Sequence, residues 1–123
     1  MIEVYSNNLT VTADMQIPFQ NVSLKKGCTA ELSGTSTIEL NKCGVYMVSL
    51  NASAEATTTI QMYKDGVAQP EAQATGATPG FVTLVQVNKD NSCCPCASAT
   101  TLYFANSTAT TLTNVNVCVT KVV

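Results

Sequence analysis

Thiols give this chain its widest chemical reach. Six cysteines occur, Cys28, Cys43, Cys93, Cys94, Cys96 and Cys118, and three of them crowd into Ser92-Cys93-Cys94-Pro95-Cys96. Thiolates at such close spacing are soft ligands, so Cys93, Cys94 and Cys96 are candidates for holding Zn²⁺. A structural zinc site needs four ligands, however, and the chain has no histidine. The usual two-residue gap occurs once, between Cys93 and Cys96, so a fourth ligand would have to be another cysteine or come from a neighbouring subunit. Disulfides are the competing chemistry, because an even cysteine count in a small domain fits a stapled fold. Cys28, Cys43 and Cys118 are the candidates there. Cys28 and Cys43 could close one loop, and Cys118 could reach the 93–96 loop. The plain alternative for Cys118 is a buried thiol that packs as a small hydrophobe.

Other reactive constellations lack their parts. Without histidine there is no Ser-His-Asp or Cys-His pair, and a nucleophilic thiol would depend on lysine or a helix N-terminus. The eight acids are dispersed, with no close pair of the kind glycoside hydrolysis uses. Glycine-rich phosphate loops are absent too. The chain is therefore read as non-enzymatic, with no cofactor beyond the Zn²⁺ candidate. A formal charge of −2 and no arginine remove the bidentate fork that reads phosphate and guanine, which argues against nucleic acid. Met1-Ile2-Glu3-Val4-Tyr5-Ser6 has an acid where a signal peptide carries bases, and no apolar region follows it. No stretch approaches the roughly 18 apolar residues of a membrane span. Neither classical secretion nor membrane insertion is expected. Asn-x-Ser/Thr triplets at Asn8, Asn21, Asn51 and Asn106 are what chance gives in a chain this rich in Asn, Ser and Thr.

The elements that must position these groups are strands. Residues 1–123 suit one domain with one core. The charged fraction is 11%, less than half the usual quarter, and Thr, Val, Ser and Asn take its place. Residues 45–52 alternate, with Tyr46, Val48, Leu50 and Ala52 on one face. Residues 57–63 lead into Asp65-Gly66, a strong hairpin signal because both turn positions must tolerate positive φ. Residues 68–80 are small, polar and broken by Pro70, Gly76, Pro79 and Gly80, which reads as a long mobile loop that could include a short edge strand. Further strands are expected at 81–87, 102–105 and 115–122, the last with Val115, Val117 and Val119 inward. Upstream, residues 9–19 could form one strand interrupted at Pro18, and residues 38–40 a short one. Tyr46, Tyr63, Tyr103 and Phe81 read as core or interface anchors, since a chain without tryptophan has few aromatics for other uses. About eight strands and no helical periodicity predict an all-β fold, an antiparallel β-sandwich of the jelly-roll kind.

From Ile38 onward the order of features resembles the tumour-necrosis-factor and C1q-like jelly rolls, including the heads of bacterial exosporium filaments and of phage fibres. Cys43-Gly44-Val45-Tyr46-Met47-Val48 is similar to the family's Gly-x-Tyr-x-Val strand. A small-residue segment, a strand ending in the Asp65-Gly66 hairpin and a final alternating strand follow in the family's order. Pro18-Phe19 looks like its early aromatic strand. The resemblance implies a homotrimer in which the Gly-x-Tyr strand and the terminal strand lie near the threefold axis, with Tyr46, Val48, Val117 and Val119 at the interface. It also implies a structural role: a capsid, fibre or coat decoration subunit at a virion surface or a bacterial spore or cell surface. A rival reading is an adhesion module that binds a cell-surface glycan or receptor through the 68–80 and 93–96 loops. A third is a metal-binding interaction domain built on the cysteine cluster.

Overall fold

A computed structural model of the chain describes residues 1–27, 29–87 and 100–123. Among these residues eleven strands follow one another: β1 (Ile2–Val11), β2 (Met15–Gln16), β3 (Asn21–Lys25), β4 (Ala30–Ser33), β5 (Thr37–Leu40), β6 (Gly44–Ala54), β7 (Thr58–Lys64), β8 (Val67–Gly76), β9 (Gly80–Val87), β10 (Thr100–Asn106) and β11 (Thr110–Lys121). They form two antiparallel sheets, a five-stranded one ordered β3-β1-β11-β6-β9 and a six-stranded one ordered β4-β5-β10-β7-β8, in which β2 also pairs with β10.

Alternation decides what each strand buries. In the five-stranded sheet Val4, Val117, Leu50 and Phe81 stand abreast in register across four strands. On the next rung come Ile2, Val119, Val48 and Thr83. Because side chains alternate with a period of two, these rungs all face the other sheet, and they meet Ile38, Ile60, Met62, Leu102 and Phe104 there. Phe104 of β10 lies 6.3 Å from Phe81 of β9 and 6.2 Å from Phe19, so one ring ties both sheets to the 17–19 connection.

The hairpin between β7 and β8 has the predicted chemistry. Asp65 and Gly66 take φ of 51° and 83°, the pair of left-handed residues that a type I′ turn requires. The Asp65 backbone N–H donates to the Thr101 carbonyl, and its Oδ1 accepts from the Thr101 N–H, each at 2.9 Å, which pins the turn to β10.

Four sequence expectations are corrected. Among the described residues the strands number eleven rather than about eight, because β2, β3 and β4 are short and β3 is exposed throughout, leaving no alternating signature. The long strand expected at residues 9–19 is instead β1, beginning at Ile2, with Ile17 and Phe19 buried on an extended connection after β2. Residues 68–80 are mostly strand rather than loop: the edge strand that could lie there is the ten-residue β8, from Val67 to Gly76 along β7, and only residues 77–79 connect it to β9. Pro70 is accommodated because β8 is an edge strand with a bulge, and the Gln61 amide fills that bulge by donating to the carbonyls of Gln69 and Ala72. Of the core or interface roles read for Tyr63 and Tyr103, the core one is excluded: both lie half-buried on the outer face of the six-stranded sheet, because the opposite parity of β7 and β10 fills the core.

Candidate functional site

The chemistry offered by the sequence divides across the fold. Cys43 lies in the turn before β6 and is disulfide-bonded. Cys28, Cys93, Cys94 and Cys96 lie outside the described residues, and with them the Zn²⁺ candidate. Among the described residues no group of three metal-ligating side chains comes together. Cys118 is corrected from a disulfide candidate to a free thiol, half-buried on the outer face of β11. It sits in mid-sheet, with Glu3 and Ser49 as its Cα partners on either side, so neither flanking strand offers it a second thiol at bonding distance.

Tyr46, Val48, Val117 and Val119 were expected at an oligomer interface, and this too is corrected: all four are fully buried between the two sheets. Their face of the sheet is the more apolar one, and the six-stranded sheet of the same molecule already covers it. The Tyr46 hydroxyl donates to the Lys42 carbonyl at 2.7 Å and accepts from the Lys42 N–H at 3.3 Å. Burial raises its pKa above the ordinary tyrosine range.

Residues of the opposite parity form the true outer face of the five-stranded sheet. Its β3-β1-β11 portion carries a polar network centred on Glu3, although Leu24, the Cα partner of Glu3 on β3, is exposed there too. Ser23 Oγ donates to Glu3 Oε1 at 2.6 Å and Asn116 Nδ2 to Glu3 Oε2 at 3.1 Å, and these hydrogen bonds hold the Glu3 carboxyl below the usual glutamate value. Asn114 Nδ2 donates to Asn7 Oδ1 at 2.9 Å farther along. The β6-β9 portion is apolar. Val82 and Leu84 of β9 are 65% and 62% exposed, and Met47, the Cα partner of Leu84 on β6, is 38% exposed. No charged residue occurs between Gly80 and Val87, and β9 is the edge of its sheet. Sequence reasoning did not single out Val82 and Leu84. The signal was Phe81-Val82-Thr83-Leu84-Val85-Gln86-Val87 itself, apolar at both parities as in strands covered on both faces.

The outer face of the six-stranded sheet differs. Tyr63 and Tyr103, Cα partners on β7 and β10, stack with centroids 4.8 Å apart and planes 7° from parallel. Glu31 and Glu39 face each other across β4 and β5 beside them. Of the two loops expected to bind a glycan or receptor, one is strand β8 and the other lies outside the described residues. Asn106 is buried at the end of β10 and its side chain joins Thr58, Thr12 and Thr108, so that triplet marks a structural amide.

No protein-family model matches the chain, and no curated protein matches it. Solved structures do. The globular domain of zebrafish complement 1qA protein aligns with a TM-score of 0.72 at 12% identity, covering 99% of this chain and 96% of that one. Murine APRIL aligns at 0.65 with 9% identity, covering 98% of each chain. Rabbit GITRL aligns at 0.63 with 7% identity, covering 100% of this chain and 95% of that one. With two antiparallel sheets in the order described, the chain has the TNF/C1q-like jelly-roll fold.

Proposed function

We infer that the chain is a non-enzymatic structural protein that assembles as a homotrimer through the outer face of its five-stranded sheet. Its finer role on this reading is decoration of a virion, as a phage capsid or fibre subunit, or of a spore surface. One observation carries the assembly: Val82, Leu84 and Met47 form an exposed apolar patch beside an uncharged edge strand. Long apolar edges left bare invite uncontrolled pairing, and proteins protect them with charge, bulges or cover. β9 carries no charge of its own and Lys64 caps only its Gln86 carbonyl, so on this reading sister copies cover the face that bears Val82 and Leu84. The threefold count comes from the resemblance to the TNF and C1q-like jelly rolls. The interface this reading uses is Met47, Val82 and Leu84, with Cys118 and Thr120 farther in on β11.

Sedimentation velocity at micromolar concentration tests the assembly. A species of three chains is expected, and Leu84→Glu should convert it to single chains by placing a carboxylate in a desolvated contact. A stable monomer of the unaltered chain at that concentration would sink the proposal. For the surface role, antibody against the chain should label intact phage particles or spores. Signal confined to disrupted particles or cell interiors would remove that part.

A further inference from the structure

Assembly through the five-stranded sheet leaves the outer face of the six-stranded sheet pointing outward, and its chemistry is of a different kind. Each ring of the Tyr63–Tyr103 pair uses one π face against the other, at 4.8 Å. The strands that flank the pair carry small residues at the same level. Ala68 is the Cα partner of Tyr63 on β8, and Thr37 follows in register next to Ile38, the partner of Leu102, on β5. Glu39 lies on the next outward rung, with Thr101 as its Cα partner, two residues before Tyr103. Glu31 stands directly across from Glu39. Like charges directly opposed weaken a sheet, and Lys25 offsets only one of them, reaching Glu31 at 3.5 Å. Lys64, adjacent to Tyr63, is turned away and donates to the Gln86 carbonyl at 2.7 Å.

We propose that the Tyr63–Tyr103 pair together with Glu39 and Glu31 docks an arginine-bearing segment of a partner protein. Charge complementarity selects this occupant. A guanidinium is planar and weakly hydrated, stacks on aromatic rings and forks onto carboxylates, so it answers both the half-exposed tyrosine pair and the opposed acids. Lysine answers the acids only, and a neutral sugar answers the rings only. The chain contains no arginine, so another copy of it cannot supply the group.

The test uses the full chain and a hexa-arginine peptide, followed by aromatic NMR shifts of Tyr63 and Tyr103 and amide shifts of Glu39 and Thr101. Hexa-arginine should move these four signals together and bind more tightly than hexa-lysine. Glu39→Gln and Tyr103→Thr should each weaken hexa-arginine binding roughly two- to five-fold. The proposal is overturned by equal affinity for the two peptides, by shifts spread evenly over the other acids, or by binding that neither variant weakens. It is also overturned if cellohexaose moves the two rings while the peptide does not. Leu84→Glu should leave the response intact, so failure of this docking and failure of the trimer can be told apart.

Discussion

At Tyr46 a single hydroxyl holds the turn before β6 onto the end of the core. It donates to the Lys42 carbonyl at 2.7 Å and lies 3.3 Å from the Thr29 carbonyl, while its ring is fully buried. Tyr46→Phe leaves the ring in place but strips the Lys42 backbone of its partner. A loss of about 1–2 kcal/mol is expected, seen as a lower urea midpoint with an unchanged m-value. Glu3 gives a pH-dependent counterpart. Hydrogen bonds from Ser23 and then Asn116 lower its folded pKa, so the stability it adds is fully present above the unfolded value of about 4.3. That contribution is lost as pH falls through the lower folded value. Urea midpoints measured from neutral to acid should therefore fall less steeply for Glu3→Gln than for the unaltered chain below about pH 4.

Gly44 shows how an element is fixed at its first residue. It adopts φ of 140°, and a Cβ there would meet the Val123 carbonyl and come within 2.7 Å of Lys121 Cε. Close approach of β6 to the end of β11 therefore depends on glycine. Gly44→Ala should cost about 1–3 kcal/mol and lower the Tm by several degrees in a calorimetric scan. The same strands show what the sequence could and could not reveal. β6 and β11 were legible because their apolar residues alternate cleanly, and Asp65-Gly66 because its turn chemistry has few alternatives. β3 was not, since an edge strand exposed on both faces has no pattern to read. β8 was misread because proline and glycine mark loops in general, and only the bulge sealed by Gln61 makes Pro70 compatible with pairing. The residues expected at an interface belong to the core, one residue of parity away from the outer face. Tyr46 and Val48 form the more apolar stripe, and pattern alone does not say whether a facing sheet or a sister molecule covers it.

For the whole molecule, the proposed assembly would turn one outer face of the sandwich toward sister copies and leave the other outward. Cys118 reports on that division, because its free thiol lies on the same face as Met47 and Leu84. Alkylation mapped by peptide mass should be slow at Cys118 in the assembled protein and several-fold faster in Leu84→Glu. Equal rates would show that β11 stays solvated after assembly. The position of β11 has a temporal consequence as well. It lies between β1 and β6, joining Val4 to Leu50 only through Val117. A nascent polypeptide on the ribosome therefore has two halves of a sheet with a gap between them until residues 110–121 emerge. Refolding should be slow for the length of the chain, on the order of milliseconds to seconds, because the decisive pairing joins segments far apart in sequence. During synthesis, holdase chaperones should engage β9 of a chain stalled before residue 110 and release it once β11 is made.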